Sequence, residues 1–120
     1  MLYTILCYKP AGDAKTLTQE ADDAVMEALG RVQKRLIDAG KLGPVARLQP
    51  AKTARTVRKP SLVVDGPFAE TKEHLLGFYI VDCANLEEAT EIAGELSRAN
   101  PGGAHEVRPV LSFHPDTRAS

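Results

Sequence analysis

The sequence predicts an α+β domain with a ferredoxin-like split βαβ arrangement, one antiparallel sheet and two helices on one face of it. Three observations lead to this prediction. Strand-like and amphipathic helical stretches follow each other in the order β-α-β(β)-β-α-β. The length of 120 residues suits one compact domain. No repeat or linker divides the chain, so we expect a single domain over residues 1–113 and a polar tail over residues 114–120.

The chain opens with a strand and a helix. Residues 2–8 are mostly aliphatic and aromatic, which predicts a strand, and the turn residues behind them end it. The first helix should begin near Thr16 or Thr18, because either can cap it and apolar residues then recur every three or four positions. Gly40 lies where a left-handed C-cap is expected, which predicts the end of this helix.

The middle of the chain contains short strand-like stretches separated by prolines. We expect strands at residues 45–49, 53–58 and 61–64. Because proline cannot donate to a central ladder, Pro44, Pro50 and Pro60 indicate edge strands or a projecting extra hairpin.

The second half of the chain predicts a strand, a helix and a closing strand. Residues 75–83 form the clearest strand of this half. Asn85 and Glu88 have the spacing of a capping box, which predicts a helix that extends to about Ala99. Residues 106–113 then predict the last strand.

The two central strands are apolar on both faces. Leu6 and Ile5 lie on opposite faces of the first strand, and Phe78 and Tyr79 lie on opposite faces of the strand at residues 75–83. An antiparallel sheet with one solvated face alternates apolar with polar residues, and two helices cover only one face. We therefore expect a second copy of the chain to cover the other face, giving a dimeric α+β barrel. A small-molecule pocket between the two sheets is compatible with that dimer.

Composition excludes several classes of function. The net charge of −1 argues against a nucleic-acid or anionic-membrane binder, since both need a concentrated basic surface. The apolar runs are too short for a membrane-spanning helix, and the first residues do not resemble a signal peptide, so we expect a cytoplasmic protein. The glycine motifs that bind nucleotides and dinucleotides do not occur in the sequence, and we expect no cofactor.

The two cysteines, Cys7 and Cys83, lie in apolar stretches without further Cys or His at ligand spacing. This predicts no metal site and favours two small core residues in a reducing compartment. Because the two strands that carry them are expected to be neighbours, a disulfide or redox pair is the alternative interpretation.

Five residues are candidates for a functional site. Asp65 and Glu70 belong to a rigid turn segment and suit either a catalytic or binding role or a solvated Asx-type turn. His74 suits acid/base chemistry or an ordinary place at a strand edge. Arg108 suits an anionic ligand or a solvated edge. Tyr79 offers a hydroxyl group to a pocket or an aromatic ring to the dimer core.

Residues 65–73, which begin Asp-Gly-Pro-Phe, and the Leu-Gly-Phe-Tyr of residues 76–79 resemble the signature of the DGPF-domain proteins. These belong to the YCII-related group of the dimeric α+β barrel superfamily, and residues 48–50 and 106–110 resemble further elements of that group. The resemblance implies a ferredoxin-like subunit, a homodimer and a cleft whose chemistry is largely unassigned. Some relatives are described as transcription-initiation or sigma-factor-associated proteins.

Some YCII-related proteins also carry a His in the first helix and an Asp near its end as a proposed catalytic pair. The resemblance implies that Asp38 is the matching carboxylate, whereas Met26 stands about three turns upstream, where the His is expected. A thioether does not transfer protons, so a carboxylate in this chain would act alone or with His74 or Tyr79.

Two functions stay open, and the sequence does not decide whether the protein is an enzyme. The first is a homodimer with a small-molecule cleft, lyase-like or isomerase-like in using a carboxylate such as Asp65 or Asp38. The second is a non-catalytic protein that binds a regulatory partner such as a sigma factor through an apolar patch on residues 44–60.

Overall fold

The computed structural model describes residues 1–10, 19–59, 62–66 and 73–114. The elements follow the predicted α+β order: β1 (Leu2–Pro10), α1 (Gln19–Asp38), β2 (Leu42–Arg47), a short 3-10 helix (Ala51–Thr53), β3 (Arg55–Lys59), β4 (Leu62–Asp65), β5 (Glu73–Asp82), α2 (Leu86–Ala99) and β6 (Ala104–Pro109).

Four of the strands form one antiparallel sheet in the order β2-β5-β1-β6. The two most apolar strands, β1 and β5, occupy its centre. Pro44 in β2 and Pro109 in β6 lie at its edges, where a missing amide donor is tolerated. Ile5 pairs with Tyr79 on one side and with Val107 on the other, which fixes the register. This topology confirms the ferredoxin-like split βαβ prediction.

Local signals set the ends of both helices. The first helix ends at Asp38, two residues before Gly40, whose φ of 70° is left-handed, and the Lys41 amide donates to the Leu36 carbonyl at 2.8 Å. At the start of α2, the Asn85 side chain accepts a hydrogen bond of 2.9 Å from the Glu88 amide, which confirms the predicted cap. The candidate caps Thr16 and Thr18 of the first helix lie outside the described residues.

The hydrophobic core lies between the helices and one face of the sheet. The most deeply buried side chains are Ile5 and Val81 from the central strands, Leu36 from α1 and Leu96 from α2. Every strand residue in this cluster has an odd number, because side chains alternate between faces along a strand. Both helices therefore cover the same face, as predicted.

The middle of the chain forms one edge strand of the main sheet and one separate hairpin. The strand at β2 joins the main sheet, the 3-10 helix follows, and β3 pairs only with β4 to form a separate two-stranded hairpin. Pro50 precedes the 3-10 helix, where its fixed φ of −53° suits a turn. We call Arg55–Lys59 and Leu62–Asp65 together the hairpin.

One prediction was wrong in detail. The last strand ends at Pro109 rather than at residue 113, and Leu111 beyond it is fully exposed. The two cysteines are free, which agrees with the favoured interpretation of unpaired residues and not with the alternative of a disulfide. Cys7 pairs in register with Gly77, whereas the Cys83 amide donates to the Met1 carbonyl at the other end of β1.

Of the predicted polar tail, the structure describes only His114, which is exposed. Neither helix in the described ranges combines the length and the apolar character that crossing a bilayer requires.

Candidate functional site

The face of the sheet that carries no helix, which we call the open face, has an apolar centre and a charged border. Leu6 in β1 pairs with Phe78 in β5 on one side and with Glu106 in β6 on the other. Leu6 and Phe78 are only half-buried, and no helix among the described residues packs over them. The next pair on β6 brings Arg108 beside Thr4, so two charged side chains follow the edge strand on this face.

A hydrogen-bonded chain of three side chains runs along this border. The Tyr8 hydroxyl donates to one oxygen of Glu106 at 3.3 Å, and the Arg108 Nε donates to the other at 2.8 Å. Two strands carry these three side chains. Tyr8 ends the apolar part of β1, and Glu106 and Arg108 lie two residues apart on β6. Residues two apart on a strand share a face, so this spacing places both charges on the open face.

Beside this chain lies an open depression of about 410 Å³, lined by Tyr8, Glu73, Ala104 and Glu106. The pairing of β1 with β5 shifts by one residue between Cys7 and Tyr8, so Tyr8 faces Leu75 rather than Leu76. The regular alternation predicted for β5 therefore stops at this bulge. Glu73 consequently lines the same depression as Tyr8, although odd-numbered residues above the bulge face the helices.

Burial and the nearby Glu106 carboxylate raise the pKa of Tyr8, which keeps its hydroxyl protonated and able to donate at neutral pH. The hydrogen bond and charge of Glu106 also raise the pKa of Arg108. The Arg108 Nε donates to Glu106, whereas its two Nη groups make no hydrogen bond to the described residues. The border thus offers a phenol donor, a carboxylate and the free end of a guanidinium.

Two of the predicted ligand-binding residues lie on opposite faces. Arg108 is on the open face, but Tyr79 is buried in the core beneath the helices, where its hydroxyl accepts a hydrogen bond of 3.3 Å from Gln33. Burial raises the pKa of Tyr79. The structure therefore does not bring these two side chains together.

The predicted carboxylates, Asp65 and Asp38, take no part in the hydrogen bonds that join Tyr8, Glu106 and Arg108. Asp65 is exposed in the hairpin and faces Arg55, 3.7 Å away. Asp38 ends α1 and pairs with Lys34 at 3.0 Å. Met26 lies 12 residues before Asp38, about 18 Å along the helix axis, and its sulfur accepts a hydrogen bond of 3.2 Å from Arg47.

His74 is half-buried in β5, in register with Lys9. Glu70 lies outside the described residues. Gly66, from the Asp-Gly-Pro-Phe signature, has a φ of 104°, a conformation that glycine adopts without strain.

Sequence reasoning missed Tyr8, Glu73 and Glu106. The spacing of Glu106 and Arg108 on a predicted strand was a usable signal, because it places two opposite charges on one face. Tyr8 was assigned to the correct face of the first strand, but its partner comes from a strand 98 positions away in the sequence. Glu73 depends on a bulge that the local pattern does not reveal.

In the described ranges, no three side chains of His, Cys, Asp or Glu lie together in a way that could hold a metal ion. The free thiols are shielded rather than activated, since burial raises the pKa of Cys7 to about 11.

Comparison with known proteins gives two findings. The model of the YCII-related domain matches residues 1–114. An uncharacterised protein of Rhizobium meliloti (strain 1021) is 50% identical over 119 residues, which cover 96% of this chain and 96% of that protein. The finer DGPF grouping stays a prediction from the sequence. A match of this extent shows that the chain belongs to the YCII-related domain family.

Proposed function

We propose that the protein is a homodimer in which the open faces of two sheets pack together and enclose a cleft for a small organic acid. The observation that carries this proposal is the half-buried apolar centre of the open face, formed around Leu6 and Phe78. Water on that face is unfavourable, and a second sheet is the partner that fits an extended apolar sheet surface.

The charged border of the open face defines the ligand class. Arg108 keeps two Nη groups that match a carboxylate, and the Tyr8 hydroxyl is a protonated donor beside it. Ala104 and the neighbouring sheet residues supply apolar surface for the body of the ligand. These features suit a small, partly apolar molecule that carries one carboxylate.

Glu106 is a carboxylate in this cleft beside the guanidinium that would hold the ligand, so it is placed to act as the base. It would take a proton from the carbon next to the ligand's carboxylate, the electron pair of that C–H bond would move into the carboxylate to give an enediolate held by Arg108, and Glu106 would then return the proton at a different position of the ligand. Proton transfer of this kind belongs to lyase-like or isomerase-like reactions. Asp65 and Asp38 are less suited to this role, because both lie away from the open-face chain.

A second candidate function is a regulatory protein that binds a partner such as a sigma factor. One observation favours it: the hairpin exposes Val57, Val63 and Val64, with exposed fractions between 45% and 62%.

Two measurements test the first proposal. Analytical ultracentrifugation should give twice the monomer mass of 13.0 kDa, and a monomer at micromolar concentration contradicts the dimer. A thermal-shift screen against small aromatic and aliphatic carboxylic acids should find a ligand that raises the melting temperature. At a hundred times its Kd such a ligand stabilises the protein by about 2.7 kcal/mol.

Two variants show where the ligand binds. Arg108→Gln should abolish the thermal shift, and Glu106→Gln should preserve binding but remove any turnover, because an amide does not accept the proton. Lys34→Gln on the outer surface of α1 is the control and should leave the shift unchanged. A shift that persists in Arg108→Gln contradicts the proposed site.

A further inference from the structure

The hairpin exposes apolar side chains on both of its faces. Val57 pairs with Val63 on one face, and Val64 pairs with Thr56 on the other. The exposed fractions of Val57 and Val63 are 62% and 56%. Among the described residues, β3 and β4 pack mainly against each other and not against the helices. A two-stranded hairpin of this kind is marginally stable in water, so a further surface is needed to cover it.

The hairpin leaves the sheet at the same strand end as the depression, but at the opposite edge. The Leu48 amide, directly after β2, donates to the Leu76 carbonyl at 2.7 Å. Leu75, the neighbour of Leu76, pairs with Tyr8 in the wall of the depression. The root of the hairpin is thus at the β2 edge, and the depression is near the β6 edge.

A two-fold axis parallel to the strands brings these two features together. Such an axis stacks two open faces so that the β2 edge of one protomer lies beside the β6 edge of its partner. Corresponding ends of the strands in the two protomers then lie at the same end of the dimer. The hairpin of each protomer then reaches the depression of the other. An axis perpendicular to the strands would place like edges together at opposite strand ends.

The charges of the two surfaces are complementary. The hairpin and the 3-10 helix before it carry Lys52, Arg55 and Arg58 against the single acid Asp65. The depression is lined by two carboxylates, Glu73 and Glu106, with Arg108 at its border. A basic hairpin therefore meets an acidic depression, which favours this orientation of the two copies.

We propose that the hairpin of each protomer packs over the depression of its partner, and that its basic side chains complete the site for the organic acid. This inference rests on the proposed homodimer and specifies which element of the second copy closes the cleft. Within one chain the guanidinium that borders the depression, Arg108, is already paired with Glu106. The hairpin of the partner adds further positive charge for an anionic ligand, so the site is incomplete in one chain.

Cross-linking tests the contact directly. Val64→Cys protein is mixed with Ala104→Cys protein, and a short bismaleimide linker is added. Mass spectrometry should find the peptide around residue 64 joined to the peptide around residue 104 in a species of two chains. The native thiols interfere little, since Cys83 is buried and the pKa of Cys7 is about 11. A mixture of Ile37→Cys, on the exposed side of α1, with Ala104→Cys is the control and should give no such product.

Dimer affinity gives the second measurement. Val64→Asp should raise the dimer dissociation constant about tenfold or more, because the proposed contact buries the Val64 side chain against the partner and the variant places a charge there. Ile37→Asp makes the same chemical change at a side chain that is 61% exposed, and should leave the constant unchanged.

The outcomes separate this inference from the proposed function. A monomeric wild-type protein overturns both. A wild-type dimer without the 64–104 product, and with unchanged affinity in Val64→Asp, overturns the hairpin contact and leaves the dimer intact. Capture of a different protein by the hairpin of the intact dimer also overturns it, since the hairpin would then be uncovered.

Discussion

The two faces of the central sheet are built from the same two strands, yet they differ in how they are covered. On the helix-covered face, Ile5 and Val81 are fully buried beneath α1 and α2. On the open face, the neighbouring residues Leu6 and Phe78 stay half-buried and border a charged row. The chain thus completes one core by itself and leaves a second apolar surface for another molecule.

The largest effect is expected in the helix-covered core. Leu96→Ala removes a fully buried side chain from α2 and should lower the free energy of unfolding by about 3 kcal/mol. Urea denaturation of the variant and the wild type at one protein concentration measures the difference. Ile37→Ala, on the exposed surface of α1, should change the stability by less than about 0.5 kcal/mol. Equal losses in the two variants would contradict this assignment of the core.

The open face should respond through association rather than through folding. Phe78→Asp places a charge in the centre of the proposed interface and should raise the dimer dissociation constant about 30- to 100-fold, which corresponds to roughly 2 to 3 kcal/mol. Sedimentation over a range of concentrations measures this change. The far-ultraviolet circular dichroism of the variant should match that of the wild type, because Phe78 is only half-buried in one chain. An unchanged dissociation constant would show that this face is not the interface.

The sequence predicted the helix-covered half of the molecule better than the open half. The positions of Asn85, Glu88 and Gly40 specify helix ends through contacts a few residues apart, so local patterns are sufficient there. The apolar alternation of residues 2–8 likewise revealed both faces of β1.

The site depends on contacts that no local pattern contains. The hydrogen bond between Tyr8 and Glu106 joins residues 98 positions apart, and the bulge beside Tyr8 decides that Glu73 lines the depression. The 3-10 helix between β2 and β3 also separates these two strands, and β3 pairs with β4. Register and bulges are tertiary properties, so no local pattern reveals that Glu106, rather than Asp65 or Asp38, lies beside Tyr8.

A smaller effect is expected at the start of α2, the helix that supplies most of the cover over the first face. The Asn85 side chain satisfies the Glu88 amide, which the helix leaves without an internal partner. Asn85→Ala should therefore lower the free energy of unfolding by about 1 kcal/mol. Asn85→Asp keeps an acceptor oxygen and should restore the loss, which distinguishes the cap from a general effect of substitution. The same urea measurement reports both variants.

The smallest effect concerns His105, which lies on the helix-covered face in register with Cys7. Its Nδ1 is buried without a hydrogen-bond partner among the described residues. Burial, and to a lesser extent the charge of Lys9, lower the pKa of His105 below its ordinary value of 6.5. The folded chain therefore binds this proton less readily than the unfolded chain, and stability should decrease as the pH falls through about 6.5.

The pH dependence of stability measures how strongly a charge on the helix-covered face destabilises the fold. Between about pH 7.5 and about pH 5.5 the melting temperature of the wild type should fall further than that of His105→Gln, which has no titrating ring. His114→Gln removes an exposed histidine and should behave like the wild type, so the comparison does not depend on the number of histidines. Equal decreases in the wild type and His105→Gln would mean that the ring becomes solvated on protonation. Water would then reach the helix-covered face at the start of β6. The two faces of the sheet would differ less in solvent exposure at that end than they do at the centre.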